Sequence, residues 1–78
     1  MYVENKVRQI RRMKDITQMK MAEDLGVARS TIIAIEQGQF EPSGRLMLLI
    51  AEYFSMSVEE LFWLEGRETE HVQAKNKA

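Results

Sequence analysis

The residues of this 78-residue sequence that could do chemistry are hydrogen-bond donors rather than nucleophiles or metal ligands. There is no cysteine and one histidine, His71. That excludes a disulfide framework, a thiolate metal site and a cysteine nucleophile, and it leaves most zinc sites without ligands. No nucleophile–base–acid grouping occurs, and the carboxylates are scattered over polar faces. Neither an enzyme, a cofactor site nor a metal site is therefore expected. The six methionines read as gap-filling core and interface. The informative stretch is residues 17–38, TQMKMAEDLGVARSTIIAIEQG. Arg29 carries a planar fork of donors that can bond guanine O6 and N7 together, if a helix brings it to a base edge. Ser30 can bond a base edge or a phosphate. Gln18 opens a helix, where free backbone N–H groups attract phosphate and an amide adds another donor.

Such side chains work only if helices hold them. Gly26, Gly38, Pro42-Ser43-Gly44 and Gly66 divide the chain into short pieces with helical periodicity. Val7, Ile10 and Met13, with Val3 in phase, form the stripe of a first helix near 4–14. Thr17 caps a second, whose apolar face is Met21, Ala22 and Leu25 and whose end is Gly26. Ile32 and Ile35 mark a third near 28–37. Ser43 caps a fourth near 43–55, with Leu46, Leu49, Ile50 and Tyr53 or Phe54 inward. Ser57-Val58-Glu59-Glu60 has the form of a capping box and opens a short fifth. The expected fold is all-α, a compact five-helix domain over 1–64. Residues 65–78 form a polar tail with one large apolar residue, Val72, and are expected to fray.

The second and third helices are joined through Gly26, which suits the left-handed backbone of a sharp turn. Ala22, four residues earlier, is small enough to let the two helices cross closely. Together these make a helix-turn-helix, whose second helix is placed to enter a DNA major groove. With Ile32 and Ile35 inward, Ala28, Arg29, Ser30, Ile33 and Ala34 turn away from the core. Ile33 beside Ala34 offers an apolar patch that suits thymine methyl groups, a protein contact or simple exposure.

The chain resembles the Cro/lambda-repressor-like, or Xre-like, helix-turn-helix family. The resemblance rests on Val7-x-x-Ile10-Arg11, Ile16-Thr17-Gln18, Met21-Ala22, Leu25-Gly26-Val27, Arg29-Ser30-Thr31-Ile32, Ile35-Glu36-x-Gly38, Pro42-Ser43, Ile50-Ala51 and Ser57-Val58-Glu59-Glu60-Leu61-Phe62. It implies a lambda-repressor-like domain that binds double-stranded DNA through a recognition helix near 28–37. Ala28, Arg29, Ser30, Thr31, Ile33 and Ala34 would face the groove. Gln18 would touch phosphate and brace the recognition helix. Gln37 would make another phosphate contact, and Gln39 and Arg45 are weaker candidates. Arg11 and Glu36 match positions that form a partly buried ion pair between helices one and three. In some short members the N-terminus pairs as a strand with residues after helix five. Met1-Tyr2-Val3 and Phe62-Trp63-Leu64 could do so here, although plain helix ends are the commoner arrangement. Three positions depart from the family pattern. Ala28 replaces the usual Ser or Thr cap, Ser55 stands where Gly commonly ends helix four, and Gly44 lies just inside that helix.

The formal net charge is −1. Residues 1–45 hold eight bases and six acids, a net of +2, and residues 46–78 hold three bases and six acids, a net of −3. A positive face can coexist with that total. No apolar run of membrane-spanning length occurs and the start lacks a signal-peptide core, so a cytoplasmic protein is expected. Phe62, Trp63 and Leu64 are apolar for a segment leading into a polar tail and are the expected dimer surface, unless Leu61 and Phe62 instead close the core of the single subunit. The resulting expectation is a homodimeric, sequence-specific transcriptional regulator, a repressor, on a near-palindromic operator. One alternative is an antitoxin-type autoregulator whose tail, Glu65–Ala78, folds onto a toxin. Another is a protein-interaction module that no longer touches DNA.

Overall fold

The computed structural model describes residues 3–67. The order of elements is β1 (Val3–Asn5), α1 (Val7–Met13), α2 (Gln18–Leu25), α3 (Arg29–Glu36), α4 (Gly44–Phe54), α5 (Val58–Leu61) and β2 (Phe62–Leu64). The five helices stand where the periodicity places them. Local chemistry sets most of their ends. Thr17 and Ser43 accept hydrogen bonds from the Lys20 and Leu46 N–H groups, each satisfying a donor that the first helical turn leaves free. Ser57 and Glu60 form the full reciprocal capping box. Ala28 caps α3 without a side-chain bond. Ser55 ends α4 in the left-handed conformation at φ 55°, where a glycine would be unstrained.

The N-terminal stretch departs from the helical expectation. Val3–Asn5 is a strand, antiparallel to β2, with Val3 opposite Leu64, Glu4 opposite Trp63 and Asn5 opposite Phe62. The pairing thus involves Val3–Asn5; Met1 and Tyr2 lie outside the described residues, as do 68–78 of the tail. Strand pairing gives the backbone groups at both ends of the domain their partners, and Phe62 and Trp63 favour an extended backbone. The Lys6 N–H continues the tie by donating to the Leu61 carbonyl at 3.1 Å. Asn5 then starts α1, its Oδ1 accepting the Val7 N–H at 3.0 Å.

The core gathers Val7, Ile10, Met21, Ala22, Ile32, Ile35, Ile50, Ala51, Phe54, Leu61 and Phe62 from all five helices and β2. Two expected core residues lie elsewhere. Met13 ends α1 72% exposed, because the chain turns away at Asp15, whose φ is 56°. Leu49 is on the open side of α4. Phe62, expected at a dimer surface, is 6% exposed inside the subunit core. Alternation along a strand explains this, since β2 turns Phe62 inward and Trp63 outward. Among the described residues, no helix is long and apolar enough to cross a membrane.

The turn between α2 and α3 depends on Gly26, at φ 72°. The Gly26 N–H donates to the Glu23 carbonyl and the Val27 N–H to the Ala22 carbonyl, closing α2 tightly. A Cβ at Gly26 would meet nothing within 4 Å. The cost of Gly26→Ala is therefore the left-handed backbone alone, and a loss of about 1–2 kcal/mol is expected in denaturant unfolding.

Candidate nucleic-acid interface

Three helices meet at one buried carboxylate. Glu36 is the last residue of α3, and its side chain is fully buried. Arg11, from α1, donates through Nε to Glu36 Oε2 at 2.6 Å and through Nη2 to Oε1 at 3.2 Å. This two-pronged geometry is the strong form of an arginine–carboxylate pair. The third nitrogen of the same guanidinium, Nη1, donates to the Ile16 carbonyl at 2.7 Å, which ties down the loop before α2. Gln18 of α2 donates from Nε2 to Glu36 Oε1 at 3.1 Å. Arg8 adds a longer contact at 3.5 Å. Burial alone would push the Glu36 carboxyl up. The hydrogen bonds from Arg11 and Gln18, the Arg11 charge and the Arg8 contact outweigh it and hold the group below the ordinary glutamate range. Arg11 and Glu36 are thus brought together as the resemblance implies, with Gln18, Arg8 and the Ile16 carbonyl completing the arrangement.

From this hub the network runs outward. Gln18 Oε1 accepts a hydrogen bond from Arg29 Nη2 at 3.2 Å. One amide therefore links the buried pair to the first residue of α3. The bond uses one of the five N–H groups of Arg29, and the others remain available to a base. Gln18 keeps one amide N–H for a phosphate. Arg11, Arg12, Thr17, Gln18, Met19 and Arg29 line an open cleft of about 510 Å³ at the N-terminus of α2. The free N–H groups of that helix start and the guanidinium groups give the cleft a positive character.

The rest of α3 follows its helical phase. At 3.6 residues per turn, Arg29, Ser30, Ile33 and Gln37 share the side opposite Ile32 and Ile35. Ala28, Arg29, Ser30 and Gln37 are exposed, whereas Ile33 and Ala34 are half-buried and lie outside the core cluster. Thr31 is half-buried and falls about half a turn away from both Arg29 and Ile33, so it does not share their face.

Two supports were not foreseen from the residue pattern. Asn5 Nδ2 donates to the Ile35 carbonyl at 3.0 Å, binding the small sheet to the end of α3. Tyr53 of α4 donates to Asp24 of α2 at 2.7 Å, and Lys20 pairs with the same carboxylate at 3.1 Å. Burial, then the hydrogen bond to Asp24 and its charge, push the Tyr53 hydroxyl up to about 12. Asp24 is held low by its Tyr53 and Lys20 hydrogen bonds. Asn5 had no signal as a lone residue in a segment read as helix. Asp24 and Tyr53 are 29 positions apart, and only the packed fold relates them.

Comparison with known proteins decides the family. Residues 5–67 match the helix-turn-helix domain family. The chain belongs to the Xre-like helix-turn-helix family. Its relatives include an uncharacterized HTH-type transcriptional regulator of Methanocaldococcus jannaschii, 41% identical over 66 residues, which span 85% of this chain and 100% of that one. A second, from Bacillus subtilis, is 44% identical over 63 residues, 81% of this chain and 96% of that one. A third, named an HTH-type transcriptional activator of Enterococcus faecalis, is 36% identical over 63 residues, 81% of this chain and 30% of that longer protein. This Xre-like family is one of DNA-binding regulators rather than enzymes. Within it, α2 and α3 form the helix-turn-helix, and the Glu36 hub fixes the angle between them.

Proposed function

We propose that the protein is a sequence-specific, homodimeric transcriptional repressor with a lambda-repressor-like arrangement of its five helices. The observation that carries this reading is the outward face of α3. It is exposed at Arg29, Ser30 and Gln37, and a buried ion pair at the other end of the helix holds its orientation. Arg29 reads guanine, Ser30 a base edge or phosphate, and Ile33 with Ala34 a thymine methyl. Gln18, the N-terminus of α2 and Gln37 hold phosphates and set the register. One such domain offers few base contacts. Two copies about 34 Å apart read successive major-groove faces of a near-palindromic site in the cytoplasm. Repression requires only that the operator be occupied, whereas activation requires a further surface for the transcription machinery.

Selection from random double-stranded DNA, followed by titration at two salt concentrations, tests the reading. A near-palindromic consensus is expected, with affinity falling as salt rises by about 0.9 log units per log unit for each phosphate contact. Gln37→Ala should weaken all sequences alike and reduce that slope. Absence of both enrichment and salt dependence would leave only a protein-interaction role.

A further inference from the structure

The open face of α4 carries an arrangement that the helix-turn-helix contacts do not use, apart from Arg45, which was a weaker phosphate candidate. Leu48 is 65% exposed and Leu49 37%. Arg45 and Glu52 flank them, and both are exposed. The four residues stand at spacings of three, one and three, so they form a single stripe along the helix. Among the described residues, neither Arg45 nor Glu52 makes an ion pair or a side-chain hydrogen bond. They are seven positions, about 10 Å, apart on the helix and are not paired with each other.

The order basic, apolar, apolar, acidic is its own complement when reversed. A second α4 laid antiparallel, with the two-fold axis between Leu48 and Leu49, sets Arg45 against the partner's Glu52. It sets Leu48 against the partner's Leu49, and each pair occurs twice by symmetry. The alternative surface at β2 is poorer. Phe62 is in the core, the Trp63 ring lies 5.6 Å from Lys6 Nζ, and only Leu64 of that trio is exposed, at 42%. We propose that the Arg45–Leu48–Leu49–Glu52 face of α4 is an antiparallel docking seam for a second copy of this chain. This deepens the homodimeric reading above and rests on it. Four side chains cover less than the ~800 Å² per partner of a standard interface. The free dimer is therefore weak, and adjacent half-sites on DNA complete it.

Sedimentation equilibrium of the full chain without DNA, over a wide concentration range, tests the seam. Wild type is expected to self-associate. Arg45→Glu and Glu52→Arg each place like charges against each other twice, and each should weaken self-association by about tenfold or more. An equimolar mixture of the two variants restores both opposite-charge pairs in a heterodimer. It should regain the wild-type association that neither variant shows alone. Thermal melts of each variant at low concentration should match wild type, because both positions are exposed. Self-association unaffected by either substitution would place the contact elsewhere, at Trp63 and Leu64 for instance, and overturn the seam. So would a mixture that stays monomeric, or a wild type that is monomeric at every concentration, as expected if a foreign protein covers this face. Failure to bind any DNA would remove the operator reading without changing the sedimentation result, so the two failures are distinguishable.

Discussion

Replacing Arg11 with alanine is expected to cost about 3–5 kcal/mol of folding stability, the range for removing one partner of a buried ion pair. The reason is what stays behind. The Glu36 side chain is fully buried, and without Arg11 it keeps only the Gln18 amide and the distant Arg8. The Ile16 carbonyl also loses its donor. Arg12→Ala, one position along on an exposed side chain, should change stability by less than ~0.5 kcal/mol. Urea unfolding of the two variants beside wild type separates these cases, and equal midpoints would contradict the buried-pair account. The gap also has a pH signature. A carboxyl whose folded-state pKa is depressed contributes stability above its unfolded value and loses it as pH falls through the folded value. The contribution of Glu36 is thus complete at neutral pH and disappears below the ordinary glutamate range, ~4.3. Wild type and Arg11→Ala should converge in stability as the solution is acidified below that range, through the depressed folded-state value.

The second large effect is expected on DNA. Arg29→Ala should weaken binding to the selected site by about 1–3 kcal/mol and relax the preference at one base position. Arg29 is exposed, and its hydrogen bond to Gln18 is not part of the core, so its stability should stay within ~0.5 kcal/mol of wild type. That bond matters for binding in another way. It draws the guanidinium towards the start of α2 before DNA arrives, which reduces the side-chain entropy lost on docking. Gln18→Ala should therefore weaken the cognate site while also removing one support from Glu36. Competition titrations against base-substituted sites distinguish Arg29, with a loss at one position, from a uniform phosphate effect. Unchanged binding for Arg29→Ala would take the groove role away from this face.

How far the sequence was legible follows the range of the interactions. Thr17, Ser43, Ser57 and Gly26 act on backbone within a few residues, and their spacing located α2, α4, α5 and the turn into α3. Ile32 and Ile35 gave the inward side of α3 for the same reason. The resemblance raised a strand pair with Phe62–Leu64, but the periodicity hid that it runs over Val3–Asn5, because Val3 is in phase with Val7 and its partner, Leu64, is 61 positions away in numbering. Met13 and Leu49 fitted helical stripes but fell where no neighbouring element covers them. At the candidate site, Arg11, Glu36 and Gln18 came from the resemblance, while Arg8, Asn5 and the Gln18–Arg29 link needed the packed geometry. Thr31 also came from the resemblance, and its helical phase sets it about half a turn from Arg29 and Ile33.

The placement of the Glu36 hub has a consequence for how such a protein can diversify. The Arg11–Glu36 pair is buried at the end of α3, whereas among the described residues no side-chain hydrogen bond or ion pair joins Ser30 or Ile33 to it. On the proposed reading, substitutions at those two positions should retarget a duplicated copy to a new operator while leaving its folding intact. Arg29 is joined to the hub through Gln18, so a substitution there also removes the hydrogen bond that Gln18 accepts, while the buried pair itself is untouched.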